Sequence, residues 1–530
     1  MATETLDTFA TKEYIFLRWL NEHQIELSDG PVIKLSQSAL ASKYGCSPAT
    51  INCWLKSLRR SRCIEIYKQK SGYIVTPTGK RVIAKMQELE NVIAKSDADI
   101  KNETAMAKSY IDVFAGCGGL SLGLGWGGWS GIFAIEKDPM AYSTLERNLI
   151  ASDAPYHHFE SWPEWLTKEP HDIEDVLSCA DIKSHLKSLE GKVTLLAGGP
   201  PCQGFSVAGA RNGNDPRNLL VFKQIEMVNL VRPLFVLIEN VGGFGKKFVL
   251  RPNDSTTRTV AEEAIEKIRV LGYNVGKVTI NAADFGVPQL RKRVLLFAIS
   301  KEFAGELDIE ALLQDVLKEV GSKQRAEFKL ATDRYVNVRE AISDLAGSTH
   351  IPDPEFSSFS TCTYLPARSA YQKLMRANNR GKKVPTCHRF SRHSDRLIAL
   401  YNKAHETQPA GRLSKEFLYE NGCHSNKRFV LDVKKPCSTL TTAPEELIHY
   451  KHPRIVTLRE MARLQSFPDN FQFYGRYTLN GPARGIDVPR NAQIGNAIPP
   501  LVGRAIGLAI EEISQMVIAG DQNLERYRIK

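Results

Sequence analysis

Cys202 is the residue best placed to form and break a covalent bond. It follows Gly198-Gly199-Pro200-Pro201 at the carboxyl end of the apolar run VTLLAGG, where α/β sheets gather their ligands. Two prolines fix the backbone ahead of the sulfur and restrict its direction. A lone cysteine is more often a small core residue, but the glycines and polar neighbours here leave this one no evident packing task. Its thiolate would be a nucleophile, given a depressed pKa or a substrate that takes the proton, since a free thiol near about pKa 8.5 ionises only partly at neutral pH.

A second cluster precedes it. The run YIDVF leads into Ala115-Gly116-Cys117-Gly118-Gly119-Leu120-Ser121, and glycines at a strand-to-helix turn let a ligand approach the backbone and open the helix amino end. The spacing departs from a clean G-x-G-x-x-G. Glu136 closes the next apolar run, GIFAIE, where a carboxylate can accept from both hydroxyls of a ribose. Asp181 is expected at a third strand end, within reach of an adenine amino group. Each acid alone reads equally as a helix cap or a solvated turn. Together they point to an adenosine-bearing ligand.

These residues need elements to hold them. YIDVFAG, GIFAIEKD, VTLLAGG, LFVLIENV and VLLFAIS are short, continuous apolar runs separated by helical patterns, which predicts an α/β fold with a mainly parallel sheet. From about residue 300 to 455 this rhythm gives way to basic, polar and Pro-containing segments, and helical patterns then return. The stretch KSDADIKNETAMAKS has no apolar period and reads as a linker. The expected organisation is an amino-terminal domain at 1–95, a linker at 96–108, a catalytic part at 109–300, a separate region at 301–455, and a closing segment at 456–530.

With 530 residues, 42% hydrophobic and 24% charged, the chain is globular in composition and long enough for several domains. No apolar run approaches the roughly 18–20 residues that span a bilayer, and the amino terminus lacks a secretory pattern. The expected location is cytoplasmic. A net charge of +11 fits a polyanionic partner. The ten cysteines form no C-x-x-C pair, and the Cys387-His388 and Cys423-His424 pairs are too irregular for a zinc site, so no metal is expected.

PPCQGFS resembles the nucleophile motif of the cytosine-C5 DNA methyltransferases, and other landmarks follow in that family's order. DVFAGCGGLSLG resembles its cofactor loop, Glu239-Asn240-Val241 its acid motif, and Gln289-Leu290-Arg291-Lys292-Arg293 its Q-x-R-x-R motif. REMARLQSFPDNF resembles its penultimate motif and Gln493-Ile494-Gly495-Asn496-Ala497-Ile498-Pro499-Pro500 its last. The resemblance spans residues 109 to about 510, apart from the variable basic stretch. It implies a Rossmann-like class I methyltransferase sheet, S-adenosylmethionine as methyl donor and duplex DNA as substrate. It places the donor against Phe114, Ala115, Gly116, Gly118, Gly119, Leu120, Glu136 and Asp181, with Pro200, Leu219, Asn496 and Ala497 completing the pocket. Asn496 lies so far along the chain that the carboxyl end must fold back beside the first strand.

The chemistry is consistent with those residues. Carbon 5 of cytosine is a poor nucleophile until a thiolate adds at carbon 6. Cys202 fits that step, and Glu239 could donate to ring nitrogen 3 if burial raises its pKa. Arg293 could stabilise the oxygen at carbon 2, with Arg291 supporting the catalytic loop or the donor side. A stacked cytosine is shielded, so the base must be flipped out. VAGARNGNDPRN reads as a loop closing on DNA, with Gln203, Ser206 and Arg211 near the vacated space.

Residues 356–394 contain eight Lys or Arg (Arg368, Lys373, Arg376, Arg380, Lys382, Lys383, Arg389 and Arg392) and no acid. They stand where the family carries target recognition, so Arg376, Lys382, Lys383 and Arg389 are candidate DNA contacts. In the amino-terminal stretch, LSQSALASKYGCSPATINCWLKSLRRSRCI reads as helix, turn at Gly45-Cys46, and a second helix capped by Ser47-Pro48. The next part, IEIYKQKSGYIVT, reads as a hairpin through Ser71-Gly72, and the whole resembles a winged helix-turn-helix. The expectation is a modification enzyme paired with a restriction endonuclease, acting as a monomer, its extension anchoring DNA or repressing its own operon. The rivals are a tRNA cytosine-C5 methyltransferase and a DNA-binding regulator with a retired catalytic domain.

Overall fold

The five continuous apolar runs become five strands of one six-stranded sheet in the computed structural model. It describes residues 11–27, 30–33, 36–44, 46–67, 72–84, 107–201, 219–241, 259–379, 381–423, 427–477 and 488–529. The sheet consists of β1 (Ser109–Val113), β2 (Ser130–Ile135), β3 (Leu195–Gly198), β4 (Phe235–Asn240), β5 (Tyr273–Asn281) and β6 (Lys292–Ser300), in spatial order β2-β1-β3-β4-β6-β5. Strands β1 to β4 run parallel, whereas β6 is antiparallel to both neighbours. β5 is the strand without a continuous apolar run. At the sheet edge its residues alternate between core and solvent, as in V-T-I.

Inner strands are buried on both faces. Val113, Leu196, Val236, Ile238 and Leu296 share one core with the helix Leu220–Val231 and the helix Val260–Val270. The helix Ile309–Glu327 packs on the other side of β5, where a side chain on Gly276 would meet the backbone of Ile309 and Glu310. Its Gln324 donates to the carbonyls of Phe285 and Leu501, both 2.9 Å away. The layers around the sheet therefore continue past residue 300, beyond the point where the strand rhythm fades.

The chain divides into two compact units, 1–106 and 107–530. Within the first, helices Thr11–Glu22, Gln37–Tyr44 and Pro48–Arg60 enclose Phe16, Leu20, Leu40, Ile51, Leu55 and Leu58. Ser47 caps the third helix by accepting from the Thr50 amide, with Pro48 at its first turn. Antiparallel strands Ile64–Tyr67 and Gly72–Val75 follow, and Ile33 bridges to Tyr73. The turn between those strands and the linker up to residue 106 lie outside the described residues. Among the described residues no helix is long and apolar enough to cross a membrane.

Candidate active site

The parallel strands all deliver their carboxyl ends to one edge, and the chemically competent residues collect there. After β1 the chain turns through Phe114 and Gly116, both left-handed at φ 59° and 57°. A β-carbon on Gly116 would meet nothing within 4 Å, so the loop leaves open space where a ligand can reach the backbone. Glu136, at the end of β2, grips this loop: one carboxylate oxygen accepts from the Gly116 amide and the other from the Asp138 amide, each at 2.8 Å. Burial raises its pKa. Beneath the loop, Asp112 on β1 accepts from the Ser121 hydroxyl at 2.6 Å. Burial, opposed by that hydrogen bond, lifts the Asp112 pKa to about 7.

Two strands further, Glu239 on β4 stands opposite Leu295 of β6, and Arg293 two residues earlier on β6 reaches it. The Arg293 Nε lies 2.9 Å from a Glu239 oxygen, with both side chains mostly buried. Gly199 brings the end of β3 beside the same acid, since a β-carbon there would sit 3.5 Å from the other Glu239 oxygen. Asn240 donates to the Pro200 carbonyl at 3.5 Å, and its own oxygen accepts from the Val241 amide. The acid, the guanidinium and Pro200 thus share one small region. Cys202, Gln203, Ser206 and Arg211 lie outside the described residues.

Arg291 behaves differently from Arg293. It is buried and donates to the carbonyls of Leu440 and Ala497, at 3.4 and 3.1 Å. Burial pulls its pKa well down, and the neighbouring Arg293 charge adds to that. It ties the backbone at Leu440 to that at Ala497.

The carboxyl end does fold back beside the first strand. Asn496 ends the helix Arg490–Asn496 and Ala497 follows it. The helix Pro500–Ile518 then lies so close to the helix Gly119–Trp126 that any side chain on Gly123 would strike the Pro500 carbonyl. Leu219, just ahead of Leu220–Val231, is half exposed.

Asp181 needs correction. The segment that carries it is helical, Ala180–Ser188, so Asp181 occupies a first turn and faces solvent instead of ending a strand. Its acidic side chain suits a helix amino end, and the charged, interrupted apolar pattern around it gives no buried strand. Arg376 also needs correction as a free DNA contact. It stacks over the Tyr364 ring at 4.2 Å, pairs with the buried Asp344 at 3.4 Å and donates to the Leu365 carbonyl. Lys382 and Lys383 are exposed, whereas Arg389 is half-buried over the rings of Phe356, Phe359 and Tyr477. Arg380 and His424 lie outside the described residues. His388 is buried with both ring nitrogens engaged, by Thr457 and by the Leu345 carbonyl.

Sequence reasoning missed a set of buried amides. Gln289 donates to Gln465 at 2.7 Å and accepts from the Leu440 amide at 2.9 Å. Gln465 passes the connection to the Ile494 carbonyl at 2.7 Å, and Gln493 accepts from Thr144 at 2.7 Å. All three glutamines stand inside motifs already quoted. Their type and their place inside those motifs were the available signal.

A mostly parallel sheet with a glycine loop after its first strand, and an acid–arginine pair at the ends of β4 and β6, is the frame of a Rossmann-like methyl-transferring enzyme. The sequence profile of the C-5 cytosine-specific DNA methylases matches residues 109–512. The chain belongs to that family and is a DNA cytosine-5-methyltransferase. It is 30% identical over 440 residues to the Type II methyltransferase M.DdeI of Desulfomicrobium norvegicum, covering 79% of this chain and 93% of that protein. Against the Type II methyltransferase M.XorII of Xanthomonas oryzae the figure is 30% over 446 residues, covering 78% and 89%. A solved DNA modification methyltransferase encoded within an Escherichia coli prophage has the same fold, with a TM-score of 0.51 and 24% identity over 79% of this chain and 99% of that one.

Proposed function

We propose that this enzyme transfers a methyl group from S-adenosylmethionine to carbon 5 of a cytosine flipped out of duplex DNA, through a transient bond to Cys202. The observation that carries the reading is the Glu239–Arg293 pair beside Pro200, two residues ahead of the thiol. When bound, the donor supplies a sulfonium methyl, an electrophile that needs an electron-rich carbon beside it.

The donor site fits that group. Gly116 leaves open space above the backbone, and the Glu136 carboxylate stands at the end of the neighbouring strand, where ribose hydroxyls can be accepted. Phe114, Ala115, Gly118, Gly119, Leu120, Leu219, Asn496 and Ala497 would line the rest.

The thiolate of Cys202 adds at carbon 6 of cytosine, which breaks the ring's aromaticity and makes carbon 5 enamine-like. Glu239 holds ring nitrogen 3, and Arg293, oriented by the same acid, steadies the oxygen at carbon 2. Arg291 positions the surrounding backbone. Carbon 5 takes the methyl, loses its proton, and the electron pair returns to expel Cys202. Gln203, Ser206 and Arg211 would fill the space left in the duplex, and Lys382, Lys383 and Arg389 would meet the DNA.

Two relatives at 30% identity carry the name Type II methyltransferase, which supports a modification role beside a restriction endonuclease. The amino-terminal unit is read as a winged helix-turn-helix that anchors DNA or represses its own promoter, on the strength of its capped helix Pro48–Arg60 ending in Arg59 and Arg60. Duplex DNA with 5-fluorocytosine at the methylated position should trap a covalent complex when S-adenosylmethionine is present. Cys202→Ala should form none and lose methylation entirely. A folded, donor-loaded enzyme that leaves the fluorinated site untrapped would overturn the mechanism.

A further inference from the structure

Arg389 is unusual among the arginines of the basic stretch. Its guanidinium carbon lies 3.8 Å from the ring centre of Tyr477, 4.1 Å from Phe359 and 4.8 Å from Phe356. Three ring faces hold the cation by their electron-rich surfaces and limit its rotation. Among the described residues, however, no carbonyl or carboxylate accepts a hydrogen bond from it. The nearby acids are engaged elsewhere: Glu355 takes Arg490 at 2.8 Å, and Asp353 accepts from the amides of Glu355 and Phe356. Arg392 and Arg376, by contrast, each donate to a backbone carbonyl.

No nitrogen of this half-buried cation is sealed from solvent, so its five N–H donors stay open to acceptors that a ligand can supply. Those donors border a pocket of about 470 Å³ lined by Met140, Phe356, Arg389, Gly475, Arg476 and Tyr477. It opens beside the first turn of the helix Pro139–Leu145, which follows Glu136, so it neighbours the donor-binding edge of the sheet. Its walls are mainly apolar and its fixed charge is cationic.

We propose that Arg389, clamped by Phe356, Phe359 and Tyr477, is a recognition residue that grips a pair of acceptor atoms on the duplex substrate. This rests on the reading of duplex DNA as the substrate. A planar guanidinium matches two acceptors side by side, and the pair is either two phosphate oxygens or O6 and N7 of a guanine. The ring clamp pre-orders the fork, so little side-chain freedom remains to be lost on binding. Exposed Lys382 and Lys383 lack that ordering and serve as mobile charges.

The test uses the full chain and a duplex carrying the site it methylates, found by sequencing DNA from cells that express it. Arg389→Gln should weaken duplex binding by about 5- to 150-fold, with donor binding unchanged. If the acceptors are phosphate oxygens, the loss is the same on every sequence, the salt slope drops by about one, and Arg389→Lys restores most affinity. If they belong to guanine, Arg389→Lys does not rescue, and discrimination disappears at one G·C pair. Wild-type affinity, salt slope and specificity in Arg389→Gln would overturn the proposal.

A second measurement needs no variant. Phenylglyoxal modification of Arg389 in the wild-type protein, mapped by mass spectrometry, should be blocked by saturating duplex. A rate indifferent to DNA would also refute the proposal. A wild-type chain that neither binds nor methylates duplex would instead bring down the parent reading.

Discussion

Two of the places where acids and arginines meet in the catalytic unit have opposite characters. At the strand ends, Glu239 and Arg293 keep 12% and 14% of their side-chain surface exposed and make a single ion-pair contact beside Pro200. Under the penultimate motif, Arg463 and Asp469 are fully buried and Asp344 nearly so. There Arg463 binds Asp344 through two nitrogens at 3.1 Å and Asp469 at 2.5 and 2.7 Å, and donates to the Ala341 carbonyl. Arg459 donates to four oxygens nearby, and Arg454 clasps Glu460 with two bonds of 2.7 Å. The same residue types form a reactive site where their bonding capacity is left open and a scaffold where it is filled.

Substitutions can separate the two. Glu239→Gln keeps the shape but cannot carry the acid's proton, so kcat should fall by about 10²–10⁴-fold while the thermal midpoint stays within a few degrees. A large loss of stability with intact kcat would reverse the assignment. Arg463→Met should do the opposite. Asp469 would be left buried without its cation and Asp344 with only its 3.4 Å contact to Arg376, which costs about 3–5 kcal/mol of stability in denaturant unfolding. If this variant unfolds like the wild type, the scaffold reading fails.

Smaller effects sharpen the contrast. Gly116→Ala puts a methyl group into the open space of the donor loop at a left-handed position, which costs about 1–2 kcal/mol. The KM for S-adenosylmethionine should rise about tenfold or more with kcat little changed, whereas a fall in kcat alone would remove Gly116 from the donor site. A pH slope supplies a further check. Asp112 is raised to about 7 in the fold against roughly 4 unfolded, so the folded state binds the extra proton between those values. Stability then decreases as pH climbs from about 4 to about 7 and levels off above, by at most about 1.4 kcal/mol per pH unit. Asp112→Asn should remove that component, and an unchanged slope would place the titration elsewhere.

Much of this frame was legible in the sequence because burial on both faces writes itself as continuous apolar runs. The strands ending at Val113, Ile135, Gly198 and Asn240 each announce the residue they deliver. β5 was invisible because an edge strand alternates and its Gly276 interrupts the pattern. Asp181 was placed on a strand end, although its neighbours form a short helix. The basic stretch reads as a set of candidate DNA contacts, but Asp344 from outside it pairs with Arg376, and Tyr364 within it covers the guanidinium. The pairing of Gln289 with Gln465 spans 176 positions, and no local pattern encodes such a partner.

The closing helix also bears on how the molecule comes into being. Cys117 reaches the Gln493 carbonyl across 376 positions, and the Trp129 indole donates to Gly507 across 378. A ribosome therefore releases nearly the whole catalytic unit before these two contacts can form. Contacts this distant demand costly loop closure and slow assembly. A nascent chain cut short before Pro500 carries its acid and its arginine but lacks the helix that backs Gly119–Trp126.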